Sequence, residues 1–159
     1  MLSFHRIINY YFLYKKIYFM AIKTSSIHVK TTGSTDICDI TGEIAGIVEE
    51  FSPKNGFITL FISGSTAALT TLEYESGAVS DLKRAIERIA PKNLEYEHDN
   101  RWGDGNGYAH VRAALLGPSL TIPLVDSQMR LGTWQQIILC DFDNRPRTRE
   151  ILVQMYYSD

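Results

Sequence analysis

The chain has 159 residues, 45% of them hydrophobic and 21% charged, ordinary values for one soluble globular domain with a core of its own. A net charge of −2 and a pI of about 6.1 exclude the basic footprint of a nucleic-acid binder. Cys38 and Cys140 lie far apart, without CxxC or metal-knuckle spacing, and read as buried free thiols in a reducing cytoplasm.

Residues 1–19 differ from the rest. MLSFHRIINYYFLYKKIYF carries seven aromatics, three basic residues and no acid, so without it the net charge falls from −2 to −5. Asn9 and Lys15-Lys16 break its apolar stretch below the about 20 residues that a spanning helix needs, and no small-x-small cleavage site follows. Neither a membrane span nor a signal peptide is expected. The composition breaks at Met20-Ala21, which predicts Met20 as the true start and 1–19 as an extension outside the fold. The alternative is an interfacial or partner-binding tail.

From Met20 onward strands and helices alternate. Ser26–Thr31 switches between polar and apolar residues and predicts a half-buried strand. Asp39 or Thr41 can cap a helix through Ile40, Ile44, Ile47 and Val48. Pro53-Lys54-Asn55-Gly56 predicts a turn, with Asn-Gly supplying positive φ. Strands are predicted over Phe57–Ile62 and Ala67–Leu72, around Ser63-Gly64-Ser65. A helix from about Ser80 to Pro91 sets Leu82, Ile86 and Ile89 on one face. Tyr108–Leu116 predicts a short helix closed by Gly117-Pro118, and Ser119–Leu124 a strand. Gln135–Phe142 and Arg149–Tyr156 predict a closing strand pair around Asp143–Pro146. The expected fold is a single α+β domain over 20–159, a mixed or antiparallel sheet of six or seven strands with about three helices.

Polar and flexible residues concentrate between Tyr96 and Gln135. His98, Asp104 and His110 supply two imidazoles and a carboxylate, a set that can hold a divalent metal and leave one coordination position open. Gly103, Gly105 and Gly107 would let the chain fold back to join them. The plainer alternative makes His98 a surface residue of a loop and His110 a hydrogen-bonded core histidine. Asn106, beside the start of the Tyr108–Leu116 helix, faces the same choice between ligand binding and turn formation. Ser65 and Thr66, in a hydroxyl-rich turn, can hydrogen-bond a phosphate, although such turns are commonly inert. Asp81 is accounted for by the first turn of its helix; Glu73 is not. Trp134 is expected in the core, and Gln135 can fix a neighbouring backbone or ligand. Alternation would set Arg145, Arg147 and Arg149 on one face, an anion site or, more plainly, a solvated surface. No G-x-S-x-G nucleophile elbow occurs.

STAALTTLE, YEHDNRWGDGNGYAHVRAALLGPSLTIP and LGTWQQIILCDFDNRPRTREILV closely resemble the YjbQ family, proteins described as secondary thiamine-phosphate synthases. The resemblance spans residues 21–157. It implies an α+β fold assembled as a homotrimer, with a polar pocket for metal or anion around the motif histidines. Carried over by position, the family's loop histidine falls on His98, its acidic turn residue on Asp104, its helix histidine on His110 and its strand serine on Ser119. Glu73 and Asp81 fall on acidic positions of the pattern. One position departs: many members open an HTTA or HTSA segment with histidine, where this chain has Gly64.

The implied reaction joins a pyrimidine diphosphate to a thiazole phosphate and releases pyrophosphate, which calls for positive charge on the leaving group. In that reading His98, Asp104 and His110 are catalytic and metal-binding, with zinc or magnesium as the ion, while Ser65, Thr66, Asn106, Ser119 and Gln135 bind the ligand. Two histidines suit zinc better than magnesium. The alternatives are a metal-dependent hydrolase or lyase acting on a small phosphorylated metabolite, and a trimeric metabolite-binding protein without turnover.

Overall fold

The computed structural model describes residues 20–158. The extension expected over residues 1–19 lies outside the described residues. The chain runs β1 (Met20–Thr31), β2 (Asp36–Asp39), α1 (Thr41–Phe51), β3 (Asn55–Ile62), β4 (Ala67–Leu72), α2 (Ser76–Ile89), α3 (Glu97–Trp102), α4 (Gly107–Leu116), β5 (Ser119–Val125), β6 (Gln128–Met129), β7 (Gln136–Asp141) and β8 (Arg147–Ser158). A five-stranded sheet has the order β1-β8-β3-β5-β6 and a three-stranded sheet the order β2-β7-β4. Every strand pairing is antiparallel.

Strand parity explains how the sheets stack. In β8, Ile151, Val153, Met155 and Tyr157 are buried while Glu150 and Leu152 face outward, the period of two that one covered face imposes. Ile58, Leu60 and Ile62 of β3 join them, and Leu69, Ile137 and Leu139 approach from the smaller sheet, with Ile44 and Val48 of α1 completing the cluster. The alternate residues of β7, Ile138 and Cys140, pack on the other side against Ile86 of α2 and Tyr108, Ala109 and Ala113 of α4. The smaller sheet is therefore covered on both faces, which is why β7 reads as an unbroken apolar run. Each isoleucine buried there contributes about 1.5–3 kcal/mol.

This is the expected α+β architecture, with three elements added. The two-residue β6 and four-residue β2 are too short to carry a period. The six-residue α3 contains His98, so that histidine stands on a helix rather than in a loop.

Other expectations change. Asn55-Gly56 belongs to β3, and the left-handed residue is Ser52, at φ 44°. Gly56 is required by contact, since a Cβ there would lie 2.0 Å from Tyr156 O. Helix α2 starts a turn earlier than Ser80, because the Glu75 carboxylate accepts from the N–H groups of Gly77 and Ala78. Its inward residues are Val79, Leu82 and Ile86, whereas Ile89 is 67% exposed. Helix α1 is capped at Ile40 without a side-chain bond; Asp39 instead accepts from the N–H and hydroxyl of Thr41. Trp134, expected in the core, is 71% exposed.

Burial pushes the thiols up, to about 11 for Cys38, helped by Asp36, and about 12 for Cys140. Both are free and poor nucleophiles at neutral pH. Among the described residues no helix is long and apolar enough to cross a membrane.

Candidate functional site

The reversal between α3 and α4 has local causes. Gly103 closes α3 at φ 69° and Gly105 follows at φ 66°, conformations that glycine adopts without the steric cost of a side chain. Asp99 Oδ1 accepts from the Gly107 N–H at 2.8 Å, so α3 supplies a partner for an N–H at the start of α4. At Gly107 a Cβ would lie 2.5 Å from that of Tyr96, so packing rather than dihedral freedom requires glycine. The turn sets His98, the second residue of α3, against His110, the fourth of α4, with ring centroids 4.3 Å apart and planes tilted 44°.

Asp104 completes the group: its carboxylate lies 3.3–3.4 Å from His98 Nε2. Asn106, 7% exposed, occupies the centre. One atom of its amide lies 3.2 Å from His98 Nε2, 3.3 Å from His110 Nε2, and 3.2 and 3.3 Å from the two oxygens of Asp104. As oxygen it would meet only acceptors; as nitrogen it has all four within reach of its two N–H groups. The structure thus brings together His98, Asp104, Asn106 and His110. Among the described residues, His, Cys, Asp and Glu side chains alone form no group of three placed to hold a metal ion.

The remaining candidates stand elsewhere. Ser119 opens β5 opposite Phe61, and its side chain forms no hydrogen bond to the histidine cluster. Gln135 accepts from the Gly132 N–H and donates to Thr71, bracing its own loop. Asp81 pairs with Arg84 on the surface, and Glu73 is exposed. Ser65 is exposed, whereas Thr66 is buried and donates to Asp143 at 3.0 Å.

Thr66 belongs to a buried ionic network that replaces the expected solvated basic face. Arg149 donates through Nε and Nη2 to the two oxygens of Asp141, at 2.7 and 2.6 Å, and through Nη2 to Thr66 at 2.8 Å. Arg147 donates to Asp143 at 2.8 Å. Burial pushes the Asp143 carboxyl up, but the bonds from Arg147 and Thr66 and the Arg147 charge outweigh it and hold the group below its ordinary value. Alternation puts Arg147 and Arg149 on one face, and that face turns inward toward the buried Asp141 and Asp143, burying Arg149 and half-burying Arg147. Arg145 alone stays exposed outside the strand.

Arg112 is the second buried arginine, 2% exposed, and all its nitrogens are used. It donates to Ala90 O at the end of α2, to Thr35 and to Glu87, with its guanidinium 4.8 Å from the Tyr108 ring centroid. A cleft of about 460 Å³ between α1 and β6, lined by Thr41, Val48, Glu49, Gln128, Met129 and Leu131, contains no histidine. The titratable chemistry is at the α3–α4 turn.

The sequence profile of the UPF0047 protein YjbQ-like family matches residues 25–158. The chain belongs to this family. A UPF0047 protein of Methanothermobacter thermautotrophicus is 35% identical over 137 residues, covering 86% of this chain and 94% of the relative. The UPF0047 protein YugU of Bacillus subtilis is 30% identical, covering 82% and 96%. The crystal structure of a YbjQ-like protein of unknown function from Sulfolobus solfataricus P2 superposes with a TM-score of 0.83 at 31% identity, covering 87% of this chain and 99% of that one. Family and fold are thereby shown, and the family's function is not.

Proposed function

We propose that His98, Asp104, Asn106 and His110 hold a divalent cation, zinc by ligand chemistry, and that the site acts on a small phosphorylated metabolite. The observation that carries this is the convergence on Asn106: its inward atom is 3.2–3.3 Å from two imidazole nitrogens and a carboxylate. Zinc–nitrogen bonds of about 2.0–2.1 Å in a tetrahedron put neighbouring ligand atoms about 3.3–3.4 Å apart. The separations from Asn106, and that between His98 and Asp104, fall close to this edge length. The set becomes a shell of four donors only when Asn106 turns its carbonyl inward. Bound there, the ion would supply Lewis-acid stabilisation of a phosphoryl oxygen or of departing pyrophosphate, with that oxygen entering as a fifth ligand or displacing Asn106.

Support for an anionic ligand comes from Arg149. Unlike Arg112, it has one nitrogen, Nη1, without a hydrogen-bond partner among the described residues, and this atom lies 3.5 Å from where a Cβ of Gly64 would stand. A side chain at Gly64 would thus stand beside this guanidinium nitrogen, and the exposed Ser65 follows in the same turn. A phosphate held at this turn would meet that nitrogen. Joining a pyrimidine diphosphate to a thiazole phosphate is the particular reaction that the family resemblance implies. The test incubates zinc-loaded protein with a panel of phosphorylated metabolites and with that precursor pair. Phosphate or pyrophosphate release, lost with chelator and in His110→Ala, is expected. If zinc is bound but nothing in the panel turns over, the catalytic reading gives way to metabolite binding.

We also propose a homotrimer, as the resemblance implies, assembled through the outer face of the larger sheet. By register Phe57, Phe61, Leu152 and Tyr156 share that face; the first three are 39%, 42% and 37% exposed, and Phe57 stacks on Tyr156 at 5.0 Å. Such an apolar face is costly to leave in water. Sedimentation should show a trimer that Phe61→Asp/Leu152→Asp dissociates; a wild-type monomer at tens of micromolar would refute it. The free thiols suit a reducing, cytoplasmic setting.

A further inference from the structure

The geometry points to Asn144 as the positioning residue of the cation loop, an inference that rests on the proposed cation site. Asn144 lies in the turn between β7 and β8, far in sequence from the histidines. Its Nδ2 donates to Asp104 O at 2.7 Å and to Gly105 O at 3.3 Å, across 40 and 39 residues. Those carbonyls flank the most adaptable backbone of the site, between Gly103 and Gly105, both at positive φ. Among the described residues neither carbonyl has another hydrogen-bond partner. Without this clasp, nothing else tethers Asp104 by its backbone.

The clasp is useful because its own base is rigid. Asn144 N–H donates to Asp143 Oδ1 at 2.8 Å. The other oxygen of Asp143 takes bonds from Arg147 and Thr66, and Asp143 O accepts from Ser34 N–H at 2.6 Å. Gly33 fits the same turn so closely that a Cβ would lie 2.6 Å from Arg145 O. The side chain thus carries the fixed geometry of the buried ionic network out to a loop that glycine leaves free. Hydrogen bonds to the partners of metal ligands orient those ligands and are typically worth about 10–100-fold in metal affinity.

The experiment titrates zinc into the full chain by calorimetry, comparing wild type, His110→Ala, Asn144→Ala and Asn144→Asp, and records the metal-free melting temperature of each. Asn144→Ala should weaken zinc binding about 10–100-fold. Asn144→Asp should do so at least as strongly, because a carboxylate would face two carbonyl oxygens. Asn144 is exposed, so the metal-free melting temperatures should stay at the wild-type value. Zinc affinity within twofold of wild type in both variants would overturn the role alone. An affinity loss matched by an equal loss of metal-free stability would overturn it too, showing that Asn144 only holds the fold. Wild type that takes up no zinc, like His110→Ala, would end the cation reading and this role together.

Discussion

Arg149→Ala should destabilise the fold by about 3–5 kcal/mol, the cost of stranding a charge when one partner of a buried pair is removed. Asp141 is fully buried and the Arg149 side chain is 9% exposed. The carboxylate also accepts from Thr31 Oγ1 and the Asp143 N–H, bonds that persist after the mutation but do not neutralise it. Arg149→Lys should recover only part of the loss, since one ammonium cannot reproduce the two-nitrogen grip at 2.7 and 2.6 Å. Asp141→Asn placed on Arg149→Met should recover more, because the stranded charge is gone. Urea unfolding of wild type and these three variants measures this. If Arg149→Ala stays within about 1 kcal/mol of wild type, the pair behaves like a surface ion pair and the argument fails.

The same network sets a pH dependence. Asp143 has its folded pKa held below its ordinary 3.8, so its contribution is fully present above that value and is lost as pH falls through the lower, folded one. Stability should therefore decline in the acid range below about pH 4, and Arg147→Ala should flatten that decline.

How much of this was legible in the sequence follows from which forces act locally. Strands β4, β5, β7 and β8 announce themselves because burial on one or both faces writes a period or an apolar run into consecutive residues. Helix α3 does not, having only six residues and no buried one. The cluster was legible as composition, His98, Asp104 and His110 around three glycines, because the turn that assembles it is made of neighbours. In sequence Asn106 reads equally as ligand or turn former, and only the structure shows it at the centre. Asn144 had no signal of its own: an Asp-Asn pair before Arg-Pro reads as a turn, and its hydrogen bonds lie about 40 residues away. Arg149 is hidden for a related reason. Its charge says surface, and only the pairing of β7 with β2 and β4 shows that Asp141 is already buried where β8 begins. Trp134 fails in the opposite sense, since its size says core although its loop leaves it in solvent.

Asn106→Asp should produce effects of opposite sign without and with zinc, and this separates a cation site from a hydrogen-bonded hub. In metal-free protein the two N–H groups of the inward amide nitrogen are shared among His98, His110 and Asp104. A carboxylate in its place would meet the Asp104 carboxylate at about 3 Å, so the metal-free variant should melt below wild type. With zinc the sign reverses, because the same carboxylate adds an anionic ligand to two imidazoles and Asp104. Wild type should gain about 2.7 kcal/mol at a zinc concentration a hundred times its dissociation constant. Asn106→Asp should gain more than that, measured from its own lower baseline, while His98→Ala and His110→Ala should gain little or nothing. A melting series with and without zinc, repeated with chelator, reads all four proteins. If Asn106→Asp is destabilised and zinc restores nothing, Asn106 is a hydrogen-bonded hub, and the two histidines and Asp104 must be explained without a metal.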